Sequence, residues 1–314
     1  GTITVSAVIP AYNAAATLGR TLDDLGRQTR VPGEVIVVDD GSTDTTADIA
    51  GRAGCRVIRL DRNAGCARAR NLGFAEARGE IIYFLDADCA PEPECLERLV
   101  AEITRSDRIG IAGGAEIDGN GPDNRFALAY YVSECYDFAP QLPAKRRMYL
   151  RTSNLLVRRN VLEKLTGFRE HLSAAEDLEF CFRATRAGYD VVFRPDARIV
   201  HNHNRRDLKS FAATFYRNGI GGTLFRLMHK PHVPFSRFFP ASRLSFALLS
   251  PLLILYSLAH IIRKNVRYRP LRSFVHVLPL VFIGRLCWSA GAFHALGMDP
   301  HGSRPATQSI PQER

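Results

Sequence analysis

The sequence predicts an α/β fold built on a parallel sheet, and three short apolar segments carry this prediction. Residues 3–10, 34–38 and 81–85 are rich in side chains that favour strands. Stretches with helical spacing separate them, and strands that alternate with helices are typical of α/β proteins with a parallel sheet. In such sheets the ligand binds beyond the carboxyl ends of the strands, so the residues after each segment should line one crevice.

The first strand is expected to stop at Pro10, and residues 11–13 then turn the chain into a helix. Leu18, Leu22 and Leu25 give that helix one apolar face. No Gly-x-Gly-x-x-Gly follows the first strand and no P-loop lysine is present. These absences argue against a dinucleotide-binding fold and against a P-loop.

Polar residues also follow the second strand and the loop beyond it. Asp39 and Asp40 close the second strand. Further on, Gly65 permits a tight loop, and the helix after it offers backbone donors and arginines to a diphosphate. Arg68 and Arg70 have a second interpretation as solvated helix charges, which is the weaker one for Arg70.

Two carboxylates lie at the end of the third strand, which we take as the central one. Asp86 and Asp88 are two positions apart, so strand alternation puts both side chains on the same side. Mg²⁺ or Mn²⁺ takes one or two protein carboxylates and fills its other positions with phosphate oxygens and water. The pair predicts a metal site for a phosphate ester or diphosphate, although such pairs also cap loops and helices.

Composition limits the class of protein. A chain of 314 residues has room for one large domain, or for a domain of about 200 to 230 residues plus an appendage. The net charge of +10 favours an anionic partner, whether nucleotide, membrane surface or nucleic acid. Seven cysteines without a Cys-x-x-Cys pair argue against a disulfide framework and a zinc site, and indicate a reducing compartment. No secretory signal is expected, because no apolar leader follows Gly1.

Four motifs, taken in order, resemble those of family 2 glycosyltransferases. They are Val8–Asn13, Val37–Asp44, Asn63–Asn71 and Phe84–Asp88. The resemblance implies a GT-A fold over residues 1–205, with a Rossmann-like nucleotide-binding half, 1–110, and an acceptor-binding half, 111–205. It also implies an inverting reaction and a divalent metal, Mg²⁺ or Mn²⁺, that holds a sugar nucleotide.

The resemblance assigns roles to the strand ends. The implied donor-binding residues are Pro10, Ala11, Tyr12, Asp39, Asp40, Asn63, Gly65, Arg70, Asp86 and Asp88. Ala11, Tyr12 and Asp40 are expected to line the base and ribose. Asp88 is the implied principal metal ligand, and Asp86 is expected to contact the metal or the sugar nucleotide.

Glu176 and Asp177 open a predicted helix, where acids ordinarily compensate the helix dipole and stabilise by roughly 0.3 to 1 kcal/mol. A Glu-Asp pair at this place resembles the catalytic-base motif of the family. Direct displacement at an anomeric carbon needs a carboxylate opposite the leaving nucleoside diphosphate to take the acceptor proton. Asp177 is assigned that role and Glu176 a supporting one.

The acceptor half is harder to interpret. The segment 113–149 is rich in glycine, aromatic and basic residues and is expected to build the acceptor pocket, with Ser153 and Asn154 on the same side. His201 and His203 alternate along a predicted strand, so they either join the metal site or are hydrogen-bonded loop histidines. The family often has a histidine near this point, which favours His201 as a metal ligand.

Residues 206–300 predict membrane-associated helices. The stretch 209–226 alternates apolar and basic residues, as an amphipathic helix on an anionic membrane does, although a helix packed on the catalytic domain fits equally. Residues 244–262 contain no charged side chain and approach the roughly 20 residues that cross a bilayer. A second apolar run, 274–296, is interrupted by Arg285.

Five positive charges in 263–272 separate the two apolar runs. If both runs spanned the bilayer, this loop would lie across it from a cytosolic catalytic domain, against the positive-inside tendency. Arg285 needs a partner or a path to the headgroups. A monotopic or re-entrant hairpin is therefore favoured over spanning, with a soluble helical bundle as the remaining alternative. The tail 301–314 is expected to be disordered.

Together these features predict an inverting, metal-dependent enzyme. It moves sugar from a nucleoside diphosphate sugar, with UDP the expected nucleotide, to a lipid-linked or polysaccharide acceptor. The expected place is the cytosolic face of a membrane, the bacterial inner membrane in particular, and no nucleic-acid partner is expected. Two alternatives stand beside it. A sugar nucleotidyltransferase requires a glycine-rich loop that Pro10 to Asn13 lacks, and a non-catalytic basic module leaves the ordered acids unexplained.

Overall fold

The structure, a computed structural model, describes residues 3–121, 123–203, 206–233 and 239–302. The chain divides into two compact units. The catalytic unit takes its described residues from Gly1–Gly119, Asp137–Glu170 and Glu176–His203, and the helical unit takes its described residues from Asn120–Tyr136, His171–Ala175 and Asn204–Arg314. The helical unit thus includes 120–136 and 171–175, which the sequence analysis placed in the acceptor half.

The catalytic unit is built on one mixed sheet, which has nine strands within the described ranges. In chain order they are β1 (Val5–Ala11), β2 (Glu34–Asp39), β3 (Arg56–Arg59), β4 (Ile81–Leu85), β5 (Cys89–Pro91), β6 (Ile109–Asp118), β7 (Lys145–Arg146), β8 (Asn154–Arg158) and β9 (Asp190–His201). The order across the sheet is β3-β2-β1-β4-β8-β6-β9-β5, and β7 pairs with β9.

The helices of the two units alternate along the chain. They are α1 (Leu18–Gly26), α2 (Thr46–Arg52), α3 (Cys66–Glu76), α4 (Cys95–Ile103), α5 (Arg125–Glu134), α6 (Arg159–Leu165), α7 (Glu176–Arg186), α8 (Leu208–Met228), α9 (Arg243–Asn265) and α10 (Leu278–Ala295). Leu18, Leu22 and Leu25 of α1 join the core beside the sheet, as their spacing predicts.

The parallel sheet predicted from the first strands is present in β1 to β4, and β6 also pairs with β9 in parallel. Strand β8 runs antiparallel to both of its neighbours, β4 and β6. Parallel strands need a crossover that returns the chain to the same end of the sheet, whereas β8 enters from the opposite end after the segment 119–153. Strands β3 and β5 were not predicted, because each is only three or four residues long.

The prediction that Pro10 stops the first strand is wrong. Strand β1 continues to Ala11, and Pro10 lies opposite Val38 of β2. Proline is tolerated there because the pairing of β1 with β4 ends at Val8, so no ladder bond on that side requires the missing N–H. The strand thereby delivers the chain directly to the proposed ligand edge.

Helix α8 is a core element of the helical unit. Phe211, Phe215, Ile220 and Leu224 are all buried, so more than one side of the helix is covered by protein. A helix that lies on a membrane surface exposes one whole face, and α8 does not fit that interpretation. Within the helical unit it packs against α10 and α5.

Glycines bring α8 and α10 together. A Cβ atom added at Gly219 would lie 2.0 Å from the Trp288 carbonyl oxygen, and one at Gly291 would lie 2.0 Å from that of Tyr216. Only glycine allows this approach of the two backbones. Small residues at helix contacts are typical of helices that associate within membranes, where close backbone packing replaces the hydrophobic effect.

Within the described residues, two helices are long and apolar enough to cross a membrane, Arg243–Asn265 and Val275–Ala295. The first leaves a broad apolar face uncovered, with Leu248 72% exposed and Leu252 65% exposed. The partner that Arg285 was expected to need is Glu134 of α5, with which it forms an ion pair. Residues 303–314 of the predicted disordered tail lie outside the described residues.

Candidate active site

The loops after β1 and β2 are joined by side-chain hydrogen bonds. The backbone N–H of Asn13 donates to Ser42 Oγ at 2.9 Å, and the N–H of Thr43 donates to Asn13 Oδ1 at 2.9 Å. Tyr12, at the end of β1, remains 39% exposed. Since β1 and β2 are adjacent parallel strands, the predicted base and ribose residues lie at one edge of the sheet.

Asp39 and Asp40 are buried, and both accept hydrogen bonds from nearby backbone N–H groups. Asp39 accepts from the N–H of Ser42 at 2.9 Å. The two oxygens of Asp40 accept from the N–H groups of Ala64 at 2.7 Å and Gly65 at 2.9 Å. Burial raises the pKa of Asp40, and these two hydrogen bonds oppose it. Asp40 therefore fixes the Asn63–Gly65 loop, and its predicted contact with the donor stays a prediction.

Arg70 joins two of the predicted acids. Its side chain is only 4% exposed, and its Nη1 lies 2.7 Å from Glu176 Oε1 while its Nη2 lies 2.8 Å from Asp86 Oδ1. Burial lowers the pKa of Arg70, but its anionic neighbours outweigh burial and raise it. The guanidinium predicted to meet a diphosphate is thus engaged by two carboxylates, one before the metal site and one beside the proposed base.

Asp177 is partly exposed at the start of α7, as predicted. Its Oδ1 accepts from the N–H of Leu178 at 2.7 Å. Burial, followed by the negative charge of Glu176, raises the pKa of Asp177 to about 7, and the positive charge of Arg151 opposes the rise. A carboxylate with this pKa is suited to accept a proton near neutral pH.

Asp88 and His201 come together, as the sequence analysis expected. Among the described residues, ligand atoms of Asp88, Cys89 and His201 form one group within 4.8 Å. His201 Nε2 lies 3.1 Å from Asp88 Oδ1, because Cys89 of β5 pairs with His201 of β9. Burial lowers the pKa of His201, but Asp88 and Cys89 outweigh it and raise the pKa well above its ordinary value.

This group suits a divalent cation. Carboxylate oxygen and imidazole nitrogen are both ligands for Mn²⁺, and the thiol of Cys89 adds a softer atom. Against the effect of burial, Asp88 and Cys89 raise the pKa of His201, as is expected at a point where the surrounding groups favour a cation. Asp86, the other predicted metal ligand, lies outside the group and pairs with Arg70.

Ser153 and Asn154, predicted on the acceptor side, are buried. Asn154 Oδ1 accepts from the Tyr83 hydroxyl at 3.0 Å and its Nδ2 donates to the Ala197 carbonyl at 3.1 Å, so its amide joins elements of the sheet. Ser153 Oγ donates to Glu116. Their role toward an acceptor stays a prediction.

Two residues of this region were not selected from the sequence. Cys89 follows Asp88 directly, and only the pairing of β5 with β9 brings it to His201. Glu116 lies in β6 with Oε1 3.2 Å from Arg151 Nε. Burial raises the pKa of Glu116, but Arg151, His201 and Ser153 outweigh it and hold the pKa well below its ordinary range. The available signal was one acid inside the largely apolar segment 109–117.

Comparisons with known proteins identify the family and the fold. Residues 6–166 match the model of the family described as Glycosyl transferase family 2. The chain is 32% identical over 228 residues to glycosyltransferase AglE of Haloferax volcanii, covering 69% of this chain and 72% of that protein. It is 25% identical over 225 residues to the O-antigen chain rhamnosyltransferase RfbN of Salmonella typhimurium, covering 67% and 70%. Of three other curated relatives the chain spans about half, 44 to 52% of their length.

A solved structure shares the fold. It is the mannosyltransferase PcManGT from Pyrobaculum calidifontis in complex with GDP-Man and Mn²⁺, with a TM-score of 0.64 and 19% identity over 94% of this chain and 87% of that one. This likeness confirms the predicted GT-A fold. The family match covers half of the chain and indicates the class of enzyme as well as the fold. It supports neither a sugar nucleotidyltransferase nor a non-catalytic module. The chain belongs to glycosyl transferase family 2, a family of sugar-transferring enzymes.

Proposed function

We propose that the chain is an inverting, metal-dependent glycosyltransferase. It moves a sugar from a nucleoside diphosphate sugar to a lipid-linked or polysaccharide acceptor at the cytosolic face of a membrane, with the bacterial inner membrane expected. UDP is the expected nucleotide. The GDP-Man and Mn²⁺ in the Pyrobaculum structure support a nucleoside diphosphate sugar with a divalent cation, and make GDP the first competitor.

One observation carries the proposal, the guanidinium of Arg70 between Glu176 and Asp86. Asp86 stands two residues before the metal group, and Glu176 stands next to the proposed base. A single buried side chain therefore holds the donor side and the base side of one crevice at a fixed separation. Inversion places the base and the leaving group on opposite faces of the sugar, and an arginine that bridges the two sides suits this geometry.

Asp177 takes the acceptor proton. The acceptor oxygen forms a bond to the anomeric carbon while the bond from that carbon to the diphosphate oxygen breaks. The departing nucleoside diphosphate keeps the electron pair, and the proton of the acceptor hydroxyl passes to the carboxylate of Asp177. Glu176 and Arg70 hold their charges beside this carboxylate and keep its pKa near neutral.

Asp88 and His201 are the residues that would hold the metal, with Cys89 beside them. A bound divalent cation supplies positive charge that stabilises the departing diphosphate. Asp88 would provide oxygen and His201 nitrogen, and their ligand atoms already lie within 4.8 Å of one another. Asp86 orients the site through Arg70.

The helical unit supports attachment to a membrane. Apolar side chains of α9 are exposed over most of its length. Exposed arginines follow at its last turn, Arg263, and in the segment after it, Arg267 and Arg272. Apolar insertion beside basic residues suits an anionic bilayer. Attachment is monotopic or re-entrant, because a spanning hairpin would place these arginines across the membrane from a cytosolic site.

Calorimetric titration of the detergent-solubilised chain tests the donor site. UDP, GDP and dTDP are titrated with and without Mn²⁺ into the wild type, into Asp88→Ala and into Asp107→Ala. Asp107 is fully exposed in the loop after α4 and serves as the matched control. We expect metal-dependent binding of one nucleotide that Asp88→Ala abolishes and Asp107→Ala preserves. Failure of every nucleotide to bind, or unchanged binding by Asp88→Ala, contradicts the proposal.

A further inference from the structure

Glu116 is a carboxylate in the interior of the sheet, with 1% of its surface exposed. Burial of an ionised carboxylate is costly unless each oxygen finds a partner. Its Oε1 lies 3.2 Å from Arg151 Nε and accepts from the Ser153 hydroxyl. Its Oε2 lies on the other side, 3.7 Å from His201 Nδ1. The two oxygens therefore face different groups, an arginine and a histidine.

The two ring nitrogens of His201 also face different groups. Nε2 lies 3.1 Å from Asp88 Oδ1, within the group of metal-ligating atoms. Nδ1 is buried and has no hydrogen-bond partner in the described structure, and Glu116 Oε2 is the carboxylate oxygen that forms an ion-pair contact with it. A histidine that binds a metal through one nitrogen must carry its proton on the other. The acceptor of that proton fixes the tautomer and the orientation of the ring.

We propose that Glu116 is a positioning residue for the metal site, accepting the Nδ1–H of His201 so that the Nε2 lone pair faces a divalent cation held beside Asp88. The inference rests on the metal dependence proposed above. Arg151 compensates the charge of Glu116 from the opposite side, so the carboxylate stays ionised and can accept. With a cation held at Nε2, Glu116 Oε2, which lies 3.7 Å from Nδ1, would be the acceptor for the Nδ1 proton.

A purely structural ion pair between Glu116 and Arg151 is the competing account. The chain offers a matched control in Glu102, which is also buried, with 3% of its surface exposed. Glu102 Oε2 lies 2.8 Å from Arg194 Nη1 and 3.1 Å from Arg105 Nη1. Both glutamates are thus buried carboxylates that pair with arginines in the catalytic unit, and of the two it is Glu116 that forms the contact with His201.

The test measures Mn²⁺ alone, by electron paramagnetic resonance of the free ion, with the detergent-solubilised full chain. Glu116→Gln keeps the shape and the hydrogen bond from Ser153 but removes the anionic acceptor. We expect it to weaken Mn²⁺ binding by about 10- to 100-fold, the usual effect of losing the partner of a ligating histidine. Glu102→Gln should change Mn²⁺ affinity by less than about twofold, because neither arginine that pairs with Glu102 is a proposed metal ligand.

Two further measurements separate positioning from loss of fold. Thermal unfolding of both variants gives the structural cost of each lost ion pair. Nitrogen-15 spectra of the Mg²⁺-loaded protein report the tautomer of His201, which should be Nδ1–H in the wild type and mixed in Glu116→Gln. Glu116→Asp keeps the charge but shortens the side chain, and we expect an intermediate loss of Mn²⁺ affinity.

Equal Mn²⁺ affinity in Glu116→Gln and Glu102→Gln, with an unchanged His201 tautomer, overturns the inference and leaves the proposed function intact. If Glu116→Gln does not fold, wild-type affinity in Glu116→Asp overturns it in the same way. Failure of the wild type to bind Mn²⁺ has a different meaning, because it removes the metal from the proposed function and the inference with it.

Discussion

Two arginines within the described structure show how similar pairs serve different ends. Arg70 in the catalytic unit and Arg285 in the helical unit each form an ion pair with a glutamate from a distant part of the chain. Arg70 bonds a second acid, Asp86, with its other terminal nitrogen. Arg285 instead lies over the Phe215 ring, 4.9 Å from its centroid.

The difference follows from what surrounds each guanidinium. Arg70 stands among strand ends and a helix start, where several carboxylates gather and reaction chemistry is possible. Arg285 stands within an apolar helix, where its charge requires one counter-charge and an aromatic face to be tolerated. The first arginine therefore organises a site, while the second allows apolar helices to associate. The predictions below separate the two roles.

The largest effect is expected at the base that the Arg70 network serves. Asp177→Asn removes the proton acceptor while keeping its shape, and should lower kcat by roughly 10²- to 10⁴-fold, the usual contribution of general base catalysis. Binding of the nucleotide and Mn²⁺ should stay within about twofold, because Asp177 lies outside the metal group. Steady-state kinetics measure kcat, and calorimetry measures the binding of the nucleotide and Mn²⁺. Retention of most of the activity would remove Asp177 from its assigned role.

Arginine-to-lysine replacements compare the two sites directly. Lysine cannot reach both acids at Arg70, so Arg70→Lys loses a charged hydrogen bond of about 1.5 to 3 kcal/mol, or roughly 10- to 100-fold in kcat. Arg285→Lys keeps its one pair with Glu134, and should stay within about threefold of the wild type. Equal losses of kcat in the two variants would contradict the distinction.

The ion pair between Arg285 and Glu134 should contribute to the stability of the protein rather than to its catalytic rate. Glu134→Gln leaves Arg285 without its counter-charge and is expected to lower the free energy of unfolding by about 1 to 3 kcal/mol. Glu163→Gln, which breaks an exposed pair 3.9 Å long within α6, is the control and should cost less than about 1 kcal/mol. Denaturant titration in detergent measures both, and equal midpoints for the two would refute the assignment.

The smallest effect is a displacement of the pH profile. Asp177 must be deprotonated to accept a proton and its pKa is raised to about 7, so kcat/KM should rise with pH through about 7 and level above it. Glu176 is one of the charges that raise this pKa, so Glu176→Gln should move the rise to lower pH. Rates from pH 5 to 9 check this. A rise near pH 4 in the wild type, or a shift to higher pH in the variant, is inconsistent with the proposed base.

Much of the catalytic unit was predictable because its signals are local. The apolar runs of β1, β2 and β4, the face of α1 and the acids that open α7 all follow from neighbouring residues in sequence. The antiparallel direction of β8 was not predicted, because strand direction depends on the path of the chain between strands rather than on their composition.

For the candidate site, likewise, the residues were predictable from the sequence but some of their contacts were not. Asp86, Asp88, Glu176 and Asp177 were identified from their motifs. The contact of His201 with Asp88 was one of the two arrangements expected for that histidine. The pairing of Asp86 with Arg70 depends on the tertiary packing of α3 and was not predictable. In the helical unit the need of Arg285 for a partner was evident, but the identity of Glu134, from a segment assigned to the acceptor half, was not.

The sequence by itself determined the family, the apolar character of α9 and α10 and the acids available for catalysis, because motifs and hydropathy depend on residues close together in the chain. Only the tertiary structure decided which carboxylate pairs with which arginine or histidine. Charges find their partners across sheet registers and helix contacts, and burial then sets whether each charge shifts a pKa, holds a loop or stays open to a ligand.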